Sequence, residues 1–306
     1  MWKMQTFLGC DKPYEKADTV IFGAPFDSTT SYRPGTRFAS RTMRAESYAL
    51  ETYSPYLDAD VEDIFVHDGG DLELCFGDTQ TALTAIEEKA AQILADGKRP
   101  LMIGGEHLVT LGAVRAAAQK YPELHVIHFD AHTDLREDYL GAVLSHATVM
   151  RRVWDIVGDG RIYQFGIRSG LKEEFEWGRK HTNLHAFDFD GLEDVVKKLQ
   201  GKPVYFTIDL DVLDPSVFPG TGTPEPGGVS FMQLLEAVYA VCKLNIVACD
   251  LNELSPVYDP SGISTAAALK ILRELLLALD DKSNSVMHST VVVRSEATNA
   301  SHGKTL

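Results

Sequence analysis

The chain alternates between short apolar runs and longer segments whose apolar residues recur at helical spacing. Continuous apolar runs predict strands that are covered on both faces, as in a parallel sheet. They lie at residues 17–24, 64–67, 99–104, 124–129, 161–166, 184–187, 203–209 and 245–251. The segments between them predict helices at 38–51, 78–96, 108–121, 146–157, 171–180, 192–199, 231–242 and 263–280. This alternation indicates an α/β fold with helices on both faces of a parallel sheet.

Local signals support several of these boundaries. Asp78 is a good N-cap for the helix at 78–96, and Gly97 is suited to end it. The sequence Asp68-Gly69-Gly70-Asp71 predicts a turn, because Gly and Asp favour turn conformations. Residues 213–229 are dense in Pro and Gly and predict a long loop, in which we interpret 219–228 as the lip of a pocket.

One strand runs directly into a group of metal-binding residue types. Asp130, His132 and Asp134 follow the apolar strand at 124–129. Alternate residues of an extended chain point the same way, so these three side chains share one face. Two carboxylates and an imidazole that converge on one point repel or stay unpaired without a cation. The pattern predicts half of a metal site.

Two further strands end in the same kind of residue. Asp209 and Asp211 stand at alternate positions at the end of 203–209, and His107 follows the strand at 99–104. If the three strands are parallel neighbours, their carboxyl ends meet where open α/β sheets place their sites. The expected metal ligands are His107, Asp130, His132, Asp134, Asp209 and Asp211.

The charge of this set favours two metal ions rather than one. Its four aspartates carry −4 when ionised, so a single divalent ion leaves an uncompensated −2 in a partly buried site. Two divalent ions neutralise the site, allow a hydroxide to bridge them and require some Asp to be shared. Oxygen ligands with two imidazoles and no thiolate favour Mn²⁺, followed by Fe²⁺, Co²⁺ or Mg²⁺.

Composition narrows the class of protein. The 306 residues are 44% apolar and 24% charged, which is ordinary for a globular chain. The net charge of −15 argues against nucleic-acid binding. Four cysteines without paired spacing indicate a reduced compartment. Since neither a signal sequence nor a membrane-spanning apolar run is visible, we expect a soluble cytoplasmic protein that does not bind membranes.

No composition break divides the main part of the chain. We therefore predict a single domain at residues 1–280. Residues 281–306 are rich in Ser, Thr and Asn and contain one run of three valines. We expect this polar tail either to be disordered or to contact a neighbouring subunit.

The motifs together resemble the ureohydrolase family, which includes arginase, agmatinase, formiminoglutamase and guanidinobutyrase. Its pattern is matched by Gly104–His107, Asp130–Asp134 and Asp209–Asp211, and the resemblance covers about residues 17–280. It implies a three-layer α/β/α domain with a parallel sheet of about eight strands. It also implies two Mn²⁺ per subunit and assembly as a homo-trimer or homo-hexamer.

The resemblance also assigns roles to individual residues. One ion is expected to bind His107, Asp130, Asp134 and Asp209. The other is expected to bind Asp130, His132, Asp209 and Asp211, so that Asp130 and Asp209 bridge. Asp134 is implied to pass a proton to the leaving amine. His146 matches a proton-shuttling histidine at the active site, and Glu253 matches the glutamate that binds the guanidinium.

Within the family, residues 26–27, 33–37, 165–169 and 219–228 resemble the agmatinase branch. This implies hydrolysis of agmatine to putrescine and urea by a metal-bridging hydroxide. A carboxylate-bearing substrate (arginine, guanidinobutyrate or formiminoglutamate) remains an alternative for the same chemistry. The loop at 135–145 leaves the choice open, because Glu137 and Asp138 suit a cationic tail whereas Arg136 suits a carboxylate.

Two alternative functions are also considered for these residues. A metal-bound oligomeric scaffold without turnover is expected to lack His146, Glu253 or a ligand, and a deacetylase with a single Zn²⁺ does not need all six ligands. The remaining histidines are interpreted as packing or surface residues: His67, His125, His128, His181 and His185. Arg41, Arg44 and Arg168 are interpreted as ion-pairing or subunit-contact residues.

Overall fold

The computed structural model describes residues 5–75 and 77–280, and the predicted tail at 281–306 lies outside the described residues. The strands are β1 Thr19–Gly23, β2 Tyr53–Ser54, β3 Ala59–Asp60, β4 Val66–Asp71, β5 Arg99–Ile103, β6 His125–Phe129, β7 Ile162–Ile167, β8 Asn183–Ala186, β9 Pro203–Asp209 and β10 Asn245–Asn252. The α-helices are α1 Ala39–Glu46, α2 Thr79–Ala95, α3 Thr110–Lys120, α4 Val149–Val157, α5 Lys172–His181, α6 Leu192–Lys198, α7 Phe231–Val241 and α8 Ile263–Leu279.

Eight of these strands form a single sheet in the order β4-β1-β5-β10-β9-β6-β7-β8. All seven pairings are parallel. The short strands β2 and β3 form a separate antiparallel pair. The predicted eight-stranded parallel sheet is thus confirmed.

Helices cover both faces of the sheet. One apolar core packs α1, α6, α7 and α8 against it, with Met43, Val196, Leu234 and Leu272 among its buried residues. The other core packs α2, α3 and α4 against the opposite face, with Ile86, Val114 and Val153 buried. The three-layer α/β/α architecture is therefore as predicted. Across residues 5–75 and 77–280 there is no helix of the length and apolarity that crossing a bilayer requires.

The predicted turn at residues 68–71 is wrong, because these are the last four residues of the edge strand β4. Asp68 is buried, and its carboxylate accepts a 2.8 Å hydrogen bond from Nε of Arg44 and a 3.0 Å bond from the amide of Phe7. Arg44 also pairs with Asp71. These tertiary partners stabilise acidic residues and glycines in a strand despite their turn propensity.

The helix predicted at 38–51 is shorter than expected. It ends at Glu46 and continues as a 3₁₀ turn, Ser47–Ala49. The three ligand-bearing strands are also not all direct neighbours. β6 and β9 pair with each other, but β10 separates β9 from β5. This insertion brings the end of β10 into the middle of the site.

Candidate metal centre

The predicted ligands meet at the carboxyl ends of β5, β10, β9 and β6, in the central part of the sheet. Four of them line a cavity of about 280 Å³: His107, His132, Asp134 and Asp209. Short 3₁₀ turns, His107–Val109 and Leu210–Val212, follow β5 and β9. These tight turns keep the polar residues at the strand ends instead of carrying them away from the sheet.

His107 faces three of the predicted carboxylates. Its Nδ1 lies 3.0 Å from Oδ2 of Asp130, 3.2 Å from Oδ2 of Asp134 and 3.3 Å from Oδ2 of Asp209. Its other ring nitrogen, Nε2, is 2.9 Å from the Thr207 hydroxyl. A protonated Nε2 that donates to Thr207 leaves Nδ1 free to bind a cation.

His132 forms the centre of a second group. Its Nδ1 lies 3.0 Å from Oδ2 of Asp211 and 3.5 Å from Oδ1 of Asp130. Asp130 therefore directs one oxygen toward His107 and the other toward His132. Two groups of possible ligand atoms within the described residues share Asp130, an arrangement that suits a carboxylate between two ions.

The electrostatics of this set fit two cations. Burial, together with the charges of Asp211 and Asp130, raises the pKa of Asp209 well above its ordinary value. Burial and the charge of Asp130 raise the pKa of Asp134 to about 7. Carboxylates so close together cannot all ionise without compensating positive charge. A donor set of carboxylates and imidazoles that needs this compensation is chemically matched to a pair of divalent ions.

His128, which the sequence analysis interpreted as a packing or surface residue, belongs to the site. It is fully buried, and its Nε2 lies 2.7 Å from Oδ2 of Asp130. The amide nitrogen of Gln164 is 3.1 Å from Nδ1 of His128 and 2.8 Å from the Thr133 carbonyl. Since the Gln164 amide donates to Nδ1, Nε2 carries the proton and donates to Asp130. His128 thus orients a shared ligand.

Two site residues have unusual backbone conformations. Asp134 has φ = 53° and Glu253 has φ = 65°, both in the left-handed region that non-glycine residues seldom adopt. The Asp134 carbonyl accepts hydrogen bonds from two amides in the first turn of α4, those of Met150 (3.0 Å) and Arg151 (3.2 Å). The Glu253 amide donates to the Gly105 carbonyl (3.0 Å). These bonds hold both carboxylates toward the cavity.

Glu253 follows β10 directly and lines the cavity. Its Oε1 accepts a 2.7 Å hydrogen bond from the amide of His107. Its burial and the charges of Glu106 and Asp211 raise its pKa well above the ordinary value. A buried carboxylate beside the metal ligands is suited to pair with a cationic group that enters the cavity.

His146 lines the same cavity and begins the 3₁₀ turn that precedes α4. Its amide donates to the Thr29 hydroxyl (3.0 Å), and its Nε2 is 3.2 Å from the Ser31 hydroxyl. Burial lowers the pKa of His146 to about 4. Glu106 accepts a 2.8 Å hydrogen bond from the Thr29 amide and so fixes the loop that carries both hydroxyls. This buried glutamate is a further site residue, and its place in the Gly104–His107 motif was the available signal.

The loop at 219–228 reaches the cavity through Thr223, whose hydroxyl lies 3.3 Å from Oδ2 of Asp211. Arg168 connects this loop to the metal-binding turn, because its Nη2 donates to the carbonyls of Asp211 (2.7 Å) and Glu225 (2.8 Å). The sequence analysis interpreted Arg168 as an ion-pairing or subunit-contact residue. In the structure it instead donates hydrogen bonds to backbone carbonyls. The loop forms one side of the cavity entrance.

Of the charged residues in the loop at 135–145, Arg136 lines the cavity. Glu137 and Asp138 are exposed, and neither is among the residues that line it. The acidic side chains that suited a cationic substrate tail in the sequence therefore do not face the site.

Comparisons with known proteins agree with this geometry. A model of the arginase family matches residues 17–278. The chain belongs to the arginase family. Agmatinase of Bacillus anthracis is 49% identical over 277 residues, which are 89% of this chain and 96% of that protein. The guanidinobutyrase of Pseudomonas aeruginosa is 34% identical over 279 residues, 86% of each chain.

A solved structure of a candidate agmatinase from Clostridium difficile matches with a TM-score of 0.86 at 55% identity, covering 88% of this chain and 99% of that one. The predicted ureohydrolase resemblance and its fold are therefore confirmed. Membership of the arginase family also removes the basis for a deacetylase reading. A silent scaffold would be expected to lack His146, Glu253 or a ligand, but His146 and Glu253 line the same cavity as four of the six predicted ligands.

Proposed function

We propose that the protein is an agmatinase, a dinuclear metal hydrolase that converts agmatine to putrescine and urea. The observation that carries the proposal is that Glu253 opens into the same cavity as two ligand groups joined by Asp130. A carboxylate pairs well with a planar guanidinium. Its position next to a site built for two cations directs the guanidinium carbon, rather than the tail, toward the metals.

The proposed ligands are those of the sequence analysis, with Asp130 and Asp209 shared. Two divalent ions bound there would activate a water molecule at neutral pH and stabilise developing negative charge. Mn²⁺ is the proposed metal, because the donors are carboxylate oxygens with two imidazole nitrogens and no thiolate. His128 and Thr207 are proposed to orient Asp130 and His107, respectively, for this task.

The residues around the ligands complete the proposed reaction. Glu253 holds the guanidinium while water adds to its carbon. The bond between that carbon and the alkylamine nitrogen then breaks, which releases urea and putrescine. Asp134 is proposed to deliver the proton that the departing amine needs, and His146 to exchange protons with solvent.

A second candidate, hydrolysis of 4-guanidinobutyrate, is favoured by one specific observation. Arg136 lines the cavity, and an arginine there can pair with a carboxylate tail. The similarity to a guanidinobutyrase is lower than that to an agmatinase, at 34% against 49% identity. Agmatine is therefore the proposed substrate, with guanidinobutyrate as the rival that the experiment must include.

The test is urea release by Mn²⁺-loaded protein from agmatine, arginine and 4-guanidinobutyrate, measured side by side. We expect agmatine to give the highest kcat/KM. Preference for a carboxylate-bearing substrate would retain the chemistry and overturn the assigned substrate. Urea from none of them by protein with two bound ions would contradict the proposal. His132→Ala and Asp209→Asn are expected to lose metal and turnover together, whereas Asp138→Asn, on the exposed part of the loop, serves as control.

Two further properties implied by the family resemblance belong to this proposal. We propose a homo-trimer or homo-hexamer, to be tested by light scattering on the purified protein, and a cytoplasmic location, to be tested by fractionation of producing cells. A monomer in solution, or recovery outside the cytoplasm, would contradict the respective statement.

A further inference from the structure

Arg136 and Glu174 form a charge pair on the wall of the active-site cavity. Both line the cavity, and Nε of Arg136 lies 3.5 Å from Oε2 of Glu174. The Glu174 side chain is 6% exposed and that of Arg136 is 28% exposed. The sequence alone gave no sign of this pair, because the partners come from different segments, the loop after β6 and helix α5.

Local contacts keep Glu174 in place on this wall. Its Oε1 accepts from the Thr133 hydroxyl (2.6 Å) and from the Leu135 amide (3.2 Å). Its Oε2 accepts from the Leu171 amide (2.7 Å). The carboxylate is therefore fixed at the start of α5, directly behind the loop that carries the metal-binding residues.

Aromatic contacts hold Arg136 in turn. Its guanidinium carbon lies 4.3 Å from the centre of the Tyr139 ring, a distance typical of a cation–π contact. The Tyr139 ring packs edge-on against His146, with 5.7 Å between the ring centres. Arg136 thus lies on the same wall as a proposed catalytic residue, within the space available to a substrate.

The other carboxyl groups that line the cavity already have proposed tasks. Among the cavity-lining residues of the described chain, Asp134 and Asp209 are assigned to the ions and Glu253 to the guanidinium. The remaining charged groups are the Glu174 carboxylate and the Arg136 guanidinium. The charged end of a substrate tail, held opposite the guanidinium, is therefore influenced chiefly by this pair.

We propose that the Arg136–Glu174 pair determines which substrate tail the enzyme accepts. Glu174 offsets the charge of Arg136, so that an ammonium tail is tolerated. An unpaired Arg136 favours a carboxylate tail, and an unpaired Glu174 favours an ammonium tail. The inference rests on the proposed guanidino-hydrolase function and concerns the selectivity of that same site.

The test compares kcat/KM for agmatine with kcat/KM for 4-guanidinobutyrate and follows the ratio of the two values. Arg136→Gln is expected to raise the ratio, and Glu174→Gln to lower it, each by about tenfold, as expected for one uncompensated charge near the tail. The double variant Arg136→Gln/Glu174→Gln is expected to return the ratio close to the wild-type value. Glu137→Gln and Arg152→Gln are the matched controls, and neither residue lines the cavity.

A purely structural role would lower both rates together and leave the ratio unchanged, which would overturn the proposal. If Glu174→Gln does not fold, Arg136→Gln alone decides the test. An unchanged ratio in that folded variant would contradict the proposal. If the wild-type protein releases urea from neither compound, the proposed function fails separately. Calorimetric dissociation constants for the two compounds then replace kcat/KM, and an unmoved ratio in the variants again contradicts the selectivity role.

Discussion

His128 donates a hydrogen bond from Nε2 to Oδ2 of Asp130, 2.7 Å away, while Asp130 directs its other oxygen toward His132. The pair connects a buried strand residue to the carboxylate that both ligand groups share. Gln164 fixes the tautomer of His128, so its proton always faces Asp130. His128 and Gln164 together thus orient the carboxylate that both ligand groups share.

Replacing His128 by Gln is expected to weaken Mn²⁺ binding by about 10- to 100-fold, because partners that orient metal ligands typically contribute this much. The measurement is a competition titration with a chelator of known affinity. His125→Gln is the control, since His125 lies three positions earlier in β6 and therefore points to the opposite face. Equal Mn²⁺ affinities for the two variants would contradict the orienting role of His128.

Arg168→Lys is expected to loosen the loop at 213–229. Arg168 donates to several carbonyls at once, including those of Asp211 and Glu225, and a lysine ammonium cannot reproduce that planar geometry. We expect a loss of about 2 kcal/mol in the free energy of unfolding and faster proteolytic cleavage within the loop. Arg179→Lys, on the exposed side of α5, is the control. Unchanged cleavage of Arg168→Lys would show that the loop does not depend on this residue.

Asp214 links the stability of the same loop to pH. Hydrogen bonds from Ser216, Gly227 and Gly228 lower the pKa of Asp214 from 3.8 to about 2. Because the folded-state pKa is depressed, this carboxylate stabilises the fold above pH 3.8, and the contribution is lost as pH falls toward 2.

The corresponding variant is Asp214→Asn, which keeps the shape and removes the charge. Its deficit in urea-unfolding midpoint relative to the wild type is expected to be constant above about pH 5 and to shrink as the pH is lowered further. Ser216→Ala removes one donor to the same carboxylate and should show a smaller deficit with the same pH dependence. A deficit that grows in acid would contradict this assignment.

The fold could be predicted from the sequence because burial dictates where apolar residues recur. Most strands and helices of this chain are buried on at least one face and therefore carry that pattern. It failed at residues 68–71, where turn-forming residues are held in a strand by Arg44 and the amide of Phe7. Such distant partners leave no local trace. The position of β10 between β5 and β9 was likewise not encoded in any local pattern.

The candidate site likewise contains residues that the sequence could indicate and residues that it could not. The six proposed ligands could be predicted because each stands at the end of a strand or shortly after it. His128 carried a usable signal, since it stands two residues before Asp130 on the same face of an apolar strand. Glu174 carried none, because its place on the cavity wall depends on how α5 packs against the loop that contains Thr133 and Leu135.

The central claim is that two metal ions, held by the ligands around Asp130, support hydrolysis of agmatine. The most direct test is to remove metal with a chelator and titrate Mn²⁺ back while urea release from agmatine is followed. We expect no urea from the metal-free protein and a rise in rate that is complete at two Mn²⁺ per chain. Full activity without metal, or saturation at one Mn²⁺ per chain, would contradict the dinuclear account.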